Sequence, residues 1–218
     1  MPIPTTDPRD TPPRQLARER VLTQIRDAIL QGVLQPGERL DEASLRAWLG
    51  VSATPIRQAL HALVLEGLVE SAPQSHTIVA TPRPERVVAN MQTVGVLLLG
   101  VVALSLPLLA DDEREELAAR AGAVATHLAA GEIADASQLS GAFFMPFIER
   151  CPNEVLVDLT RRVGTSLGYQ VFTTHSALAG EMDSVARAYR TLESALRSSE
   201  IARVLASIRQ AFLIESSR

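Results

Sequence analysis

Asp41-Glu42-Ala43-Ser44-Leu45-Arg46-Ala47-Trp48-Leu49-Gly50-Val51-Ser52-Ala53-Thr54-Pro55-Ile56-Arg57-Gln58-Ala59-Leu60, continuing as HALVLEGLV from His61 to Val69, is the stretch on which the fold turns. Leu45, Trp48 and Leu49 recur at helical spacing behind Asp41, a residue suited to cap a helix. Gly50 breaks that helix and can take a positive φ, giving a sharp turn. Ser52 or Thr54 then caps another helix, which runs through Ile56, Leu60, Leu63 and Val64 to Gly67. Ile56 is placed to pack back on Leu45, and Arg57 to point outward on the first turns. Two short helices joined this way form a helix-turn-helix, whose second helix lies in the DNA major groove while the first holds the backbone.

The flanking sequence extends the motif. Upstream, Val21, Leu22, Ile25, Ile29 and Leu30 mark one face of a helix from Arg18, ended by Gly32, with a tight turn at Pro36-Gly37. Residues 1–17, with five prolines before Arg14, read as a flexible arm. Downstream, Leu68 to Ser71 and Thr77 to Ala80 read as strands around a turn at Ala72 to His76, a small hairpin or wing. Pro82 and Pro84 mark a linker over 82–86. From 87 to 218 the periodicity is helical, with breaks expected at Pro107, Gly131, Pro146, Cys151-Pro152 and Leu178 to Gly180. The expected fold is mainly α: a winged helix-turn-helix over 18–81, then an all-α helical bundle over 87–218 for effector binding and dimerisation.

Composition limits the function. With 25 acids against 21 bases the net charge is −4, so no chain-wide basic field announces nucleic acid. Through residue 82 eight arginines face nine acids, and any DNA contact must be local. Arg9, Arg14, Arg18 and Arg20 offset that deficit if the arm lies along DNA. All the bases are arginine, a side chain suited to bidentate contact with phosphate or guanine. The lone Cys151 excludes an internal disulfide framework, and its neighbourhood offers no base to activate it. No phosphate loop, nucleophile elbow or zinc-protease motif is found, so catalytic residues are expected to be absent. Asn90 to Ala110 carries no charge and approaches the length of a membrane span. Gly95, Gly100 and Pro107 interrupt it, and no basic cluster flanks it, so a buried or dimer-interface helix is expected there. No signal sequence is read at the N-terminus, and the expected location is the cytoplasm.

The runs Gly32-x-Leu34-x-Pro36-Gly37-x-x-Leu40, Leu49-Gly50-Val51-Ser52-x-Thr54-Pro55-Ile56-Arg57-x-Ala59-Leu60 and Leu63-x-x-Glu66-Gly67-Leu68-Val69 resemble the winged-helix domain of the GntR family of bacterial transcription regulators. The resemblance covers about Arg20 to Ala80. It implies a homodimer that reads a palindromic operator with recognition helix and wing, Arg57 standing at a contact position. The candidate DNA contacts are Ser52, Thr54, Pro55, Arg57, Gln58 and His61, with His76 in the wing and Arg20 upstream. Ala53 stands where the family usually has an arginine contact, Ala43 where some members have another, and His76 near a customary glycine. The resemblance therefore leaves the operator open.

Residues 83–218 resemble, to a lesser extent, the helical FCD domain of the FadR-like branch. That domain binds a metal through an Asp-x-x-x-His helix and two later histidines, and the metal holds a carboxylate effector. Here Ser140, Phe144, Tyr189 and Ala211 fall at those positions, so no metal or other cofactor is expected. His61, His76, His127 and His175 lack a paired spacing. Phe143, Phe144, Phe147, Tyr169, Phe172 and Tyr189 mark a candidate pocket for an apolar or aromatic effector, oriented by the tyrosine hydroxyls. The expected function is that of a homodimeric DNA-binding regulator, a repressor. The competing reading is an interaction or architectural protein whose winged helix does not discriminate sequence and whose helical domain binds a partner or membrane.

Overall fold

A computed structural model describes residues 13–72 and 76–214. They divide into a unit ending at Thr81 and another beginning at Pro82. In the first unit α1 (Pro13–Leu30) begins five residues before Arg18. Proline suits the first helical position, where its missing N–H would be unpaired anyway. The remainder of the expected arm, residues 1–12, lies outside the described residues. Val21, Ile25, Ala28 and Ile29 are buried, while Leu30 is exposed at the edge of that face.

Asp41 caps α2 (Glu42–Leu49), its carboxylate accepting from the Ser44 N–H at 2.9 Å. Trp48 is 52% exposed, contrary to its expected inward place. Around a helix Trp48 and Leu49 diverge from Leu45 by about 60° and about 40° in opposite senses, and only the Leu49 side is half-covered. Gly50 has φ +65° and donates to the Arg46 carbonyl, as the turn requires. Ser52 occupies the N-cap of α3 (Ala53–Glu66) without a side-chain cap bond, and Thr54 lies inside the helix. Neither hydroxyl caps, so that expectation is corrected.

β1 (Val69–Ala72) and β2 (His76–Val79) pair antiparallel from Val69 opposite Val79 to Ala72 opposite His76. The strands are each displaced by one residue from the expected spans. The wing tip, 73–75, lies outside the described residues. The chain after Pro36 lines the free edge of β2: the Leu40 N–H donates to the Thr77 carbonyl and the Val79 N–H to the Glu38 carbonyl. Arg26 on α1 clasps Glu66 on α3 through Nε and Nη2 at 2.9 and 2.6 Å, a bidentate tie between the flanking helices.

In the second unit a short 3-10 turn, Pro84–Arg86, runs directly into α4 (Val87–Ser105), so the expected linker is largely the start of a helical element. There follow α5 (Asp111–Ala130), α6 (Ile133–Arg150), α7 (Glu154–Thr173), α8 (Met182–Arg197) and α9 (Ile201–Ala211). Pro146 was expected to break a helix but lies within α6. Proline deprives the carbonyl four residues back of its donor, and here Arg120 on α5 donates to that Ala142 carbonyl at 3.2 Å. A break absent from the sequence reading separates α8 from α9, where Ser199 takes φ +55°. The core joins Leu98, Val101 and Val102 of α4 to Phe143 and Phe147 of α6, Leu192 and Leu196 of α8, and Ile208 of α9.

α4 with the 3-10 turns at its ends, Pro84–Leu108, is long and apolar enough to cross a membrane by length and composition. In the fold it packs on α6, α7 and α9, burying Val87, Met91, Gly95, Leu98, Val101, Val102 and Ser105. Its opposite side exposes Val88, Val96, Leu104 and, just past its end, Leu108.

Candidate nucleic-acid interface and ligand cavity

α3 divides cleanly into two faces. Ile56, Ala59, Leu60 and Leu63 are buried, whereas Thr54, Arg57, Gln58, His61 and Leu65 are exposed at steps of three and four. The Arg57 side chain is 69% exposed. Its Nε donates to both carboxylate oxygens of Glu42, at 2.8 and 3.0 Å. That hydrogen bond holds the Glu42 carboxyl below its usual range and raises Arg57 further. Arg18, Arg57, Gln58 and His61 surround one shallow depression. Arg20, the α1 residue expected among the contacts, is exposed but outside that group, and Arg18 takes its place. Ser52 is exposed at the N-terminus of α3, Pro55 is half-buried beside it, and His76 is half-buried at the start of β2.

The helical unit holds a partly open cavity of about 560 Å³. Phe144, Phe172 and Tyr189 line it, with Val185 and Phe212 among the apolar walls. Phe143, Phe147 and Tyr169, also expected there, do not. Phe143 and Phe147 are fully buried in the core, Phe143 meeting Phe144 edge-on at 4.7 Å, and they back the wall. Tyr169 is buried with an unpaired hydroxyl, and burial raises its pKa. On α6 and α7, Gly141, Gly164 and Gly168 line the cavity, and a Cβ at any of them would meet open space. Ser140 and Tyr189 face each other with hydroxyl oxygens 2.7 Å apart. Burial pushes the Tyr189 phenol up to about 12, so it stays protonated at neutral pH.

Residues 17–79 match the family described as bacterial regulatory proteins, gntR family. The N-terminal unit is a gntR-family domain. Over 72 residues, 33% of this chain, the sequence is 44% identical to the HTH-type transcriptional regulator Rv0494 of Mycobacterium tuberculosis. The chain spans about 30% of the length of the curated relatives it matches. Across both units the fold is similar to E. coli McbR/YncC, with a TM-score of 0.69 at 20% identity over 91% of this chain and 94% of that one. It is also similar to a Rhodococcus sp. RHA1 protein named as a GntR transcriptional regulator, with a TM-score of 0.65 at 19% identity over 92% and 99%. The matched family is one of regulators, not of enzymes.

The gntR domain thus supplies an α3 with one exposed face, and the helical unit supplies a chamber. The four positions at which the FCD resemblance implies metal ligands all line that chamber: Ser140, Phe144, Tyr189 and Ala211. Among the described residues no carboxylate lines it, and the lone lining imidazole, His175, has Nδ1 2.6 Å from the Phe172 carbonyl. Hydroxyls, a phenyl ring and a methyl group do not make a shell for a divalent ion, so these residues do not fit the metal. His127, Glu132 and Asp135 place ligand atoms within 4.8 Å of one another, away from these positions at the α5–α6 turn. The pairing of Glu42 with Arg57, and of Arg26 with Glu66, escaped sequence reading because each crosses between helices.

Proposed function

We propose that the protein is a cytoplasmic, homodimeric, sequence-specific DNA-binding repressor whose helical unit binds a small apolar molecule. The observation that carries this reading is the outward face of α3, Thr54, Arg57, Gln58 and His61, within a gntR-family domain. The Ser52 and Thr54 hydroxyls and the free α3 N-terminus suit a phosphate. The Nη groups of Arg57, opposite the edge held by Glu42, suit guanine O6 and N7. Dimerisation is supported by the exposed apolar side of α4 together with Val155 and Leu159 on the adjoining α7, a surface that water disfavours and a second copy covers. A dimer seated on a promoter obstructs transcription. The cavity supports a ligand of drug size, and its occupation changes DNA affinity by altering how the two recognition helices are held.

The test is binding of the full chain to the DNA upstream of its own gene, titrated across salt beside a scrambled duplex. Discrimination of roughly 10³ or more with a marked salt slope is expected. Equal, weak binding to both duplexes, persisting against a genome-wide pool of fragments, rejects the regulator and favours the interaction protein.

A further inference from the structure

We infer that the helical-unit cavity selects an uncharged ligand carrying a single acceptor oxygen, such as a ketone, which the Ser140–Tyr189 hydroxyl pair binds in place of a metal-held carboxylate. The inference deepens the proposed ligand reading and rests on it. Ser140 and Tyr189 have two hydroxyl hydrogens between them, and their mutual bond consumes one. Neither hydroxyl has another partner among the described residues, so one donor remains for an incoming acceptor. Tyr189 is 3% exposed and lines the cavity beside Ser140, so the donor is offered to a ligand in the cavity rather than to the outer surface.

The walls set the rest of the specificity. Leu98, Val124, Phe144, Phe172, Val185 and Phe212 line the same cavity with carbon. A carboxylate beside it would lose its hydration with only neutral hydroxyls in exchange, and a buried charge without a counter-ion is strongly disfavoured. Among the described residues the one lining guanidinium is that of Arg161, which is exposed. An anion drawn to Arg161 is met in solvent, where screening weakens the attraction. A ketone loses little hydration and gains the donor. Gly141, Gly164 and Gly168, with open space where side chains would be, leave their part of the cavity wall unobstructed.

The experiment uses the full chain, with 1-aminoanthracene as a neutral fluorescent reporter and three competitors of matched shape: 2-acetylnaphthalene, 2-ethylnaphthalene and 2-naphthoate. The ketone should displace the reporter at about tenfold lower concentration than either of the others, the worth of one net hydrogen bond. The double variant Ser140→Ala with Tyr189→Phe, which leaves no hydroxyl donor in the pair, should lower ketone affinity about tenfold in a chain that melts normally, leaving ethylnaphthalene unchanged. Gly164→Phe should abolish reporter binding. Equal competition by all three, or naphthoate ahead with its advantage lost in Arg161→Gln, overturns the inference while the cavity reading stands. Reporter binding that is absent, or unaltered by Gly164→Phe, overturns the cavity reading itself.

Discussion

Arg57 is the residue at which the electrostatics of the first unit concentrate. Glu42 takes Nε and leaves the outer edge of the guanidinium open, so the side chain is oriented before DNA arrives and less rotamer freedom remains to be lost. Arg57→Ala should weaken operator binding by about 1–3 kcal/mol and reduce the salt slope by about one, read by titration at several salt concentrations. Unchanged binding would remove Arg57 from the interface. Asp41 offers a second test, in acid. Hydrogen bonds from Ser44 hold its carboxyl below the ordinary 3.8, so its contribution to stability is fully present above that value and fades as pH falls through the lowered one. Asp41→Asn should therefore flatten the acid limb of the stability profile of the first unit, measured by circular dichroism. The Asp41 cap, the Gly50 turn and the outward Arg57 were legible in sequence because each depends on a few consecutive residues, whereas the cap expected of Ser52 or Thr54 does not form. The partners Glu42 and Glu66 were not, because no local rule names a contact across helices.

At the scale of elements, the same division between local and tertiary information decides which helices were read correctly. Gly131 ends α5 as its position implies, with φ +76°, whereas Pro146 leaves α6 intact because Arg120, twenty-six residues earlier, occupies the orphaned carbonyl. A proline read from sequence alone has no visible substitute donor, so a break is the natural expectation. The compensation is testable by a double-mutant cycle. Arg120→Ala should cost about 1 kcal/mol in the wild-type chain and distinctly less in Pro146→Ala, where residue 146 supplies its own N–H; equal costs by urea denaturation would separate Arg120 from the proline. Close packing gives a sharper case on α4. A Cβ at Gly95 would overlap the Phe212 Cβ, too near the backbone to be relieved by a rotamer change. Gly95→Ala should destabilise the helical unit by about 1–3 kcal/mol despite the better helix propensity of alanine. The aromatic positions illustrate the same limit: their concentration in one stretch of sequence marks six rings as a group, but only packing decides that Phe144, Phe172 and Tyr189 border space while Phe143, Phe147 and Tyr169 do not.

For the whole molecule, the uncharged run from Asn90 to Ala110 poses the central question, since the same residues satisfy the length of a membrane span and the needs of a bundle. The fold buries one side of α4 and leaves Val96 and Leu104 outward, while on the adjoining α7 Val155 is 80% exposed. A helix adapted to lipid has no requirement for this two-sidedness, whereas a helix between a core and a second copy does. The proposed dimer would also offset the weak charge balance of the first unit, because each domain carries few basic residues and two linked domains would double them. Half-sites about one helical turn apart can be held together only by such a pair, and linking commonly raises affinity by about 10²–10⁴ over a single domain. Introducing Val96→Glu and Leu104→Glu together places charge on the proposed seam while leaving the buried side of α4 untouched. The variant should run as a folded monomer by light scattering, and its affinity for a palindromic operator should fall by about 10² or more while a single half-site is bound as before. A variant that remains dimeric would move the interface elsewhere on the helical unit. One that is monomeric yet binds the palindrome undiminished would show that recognition does not depend on pairing at all.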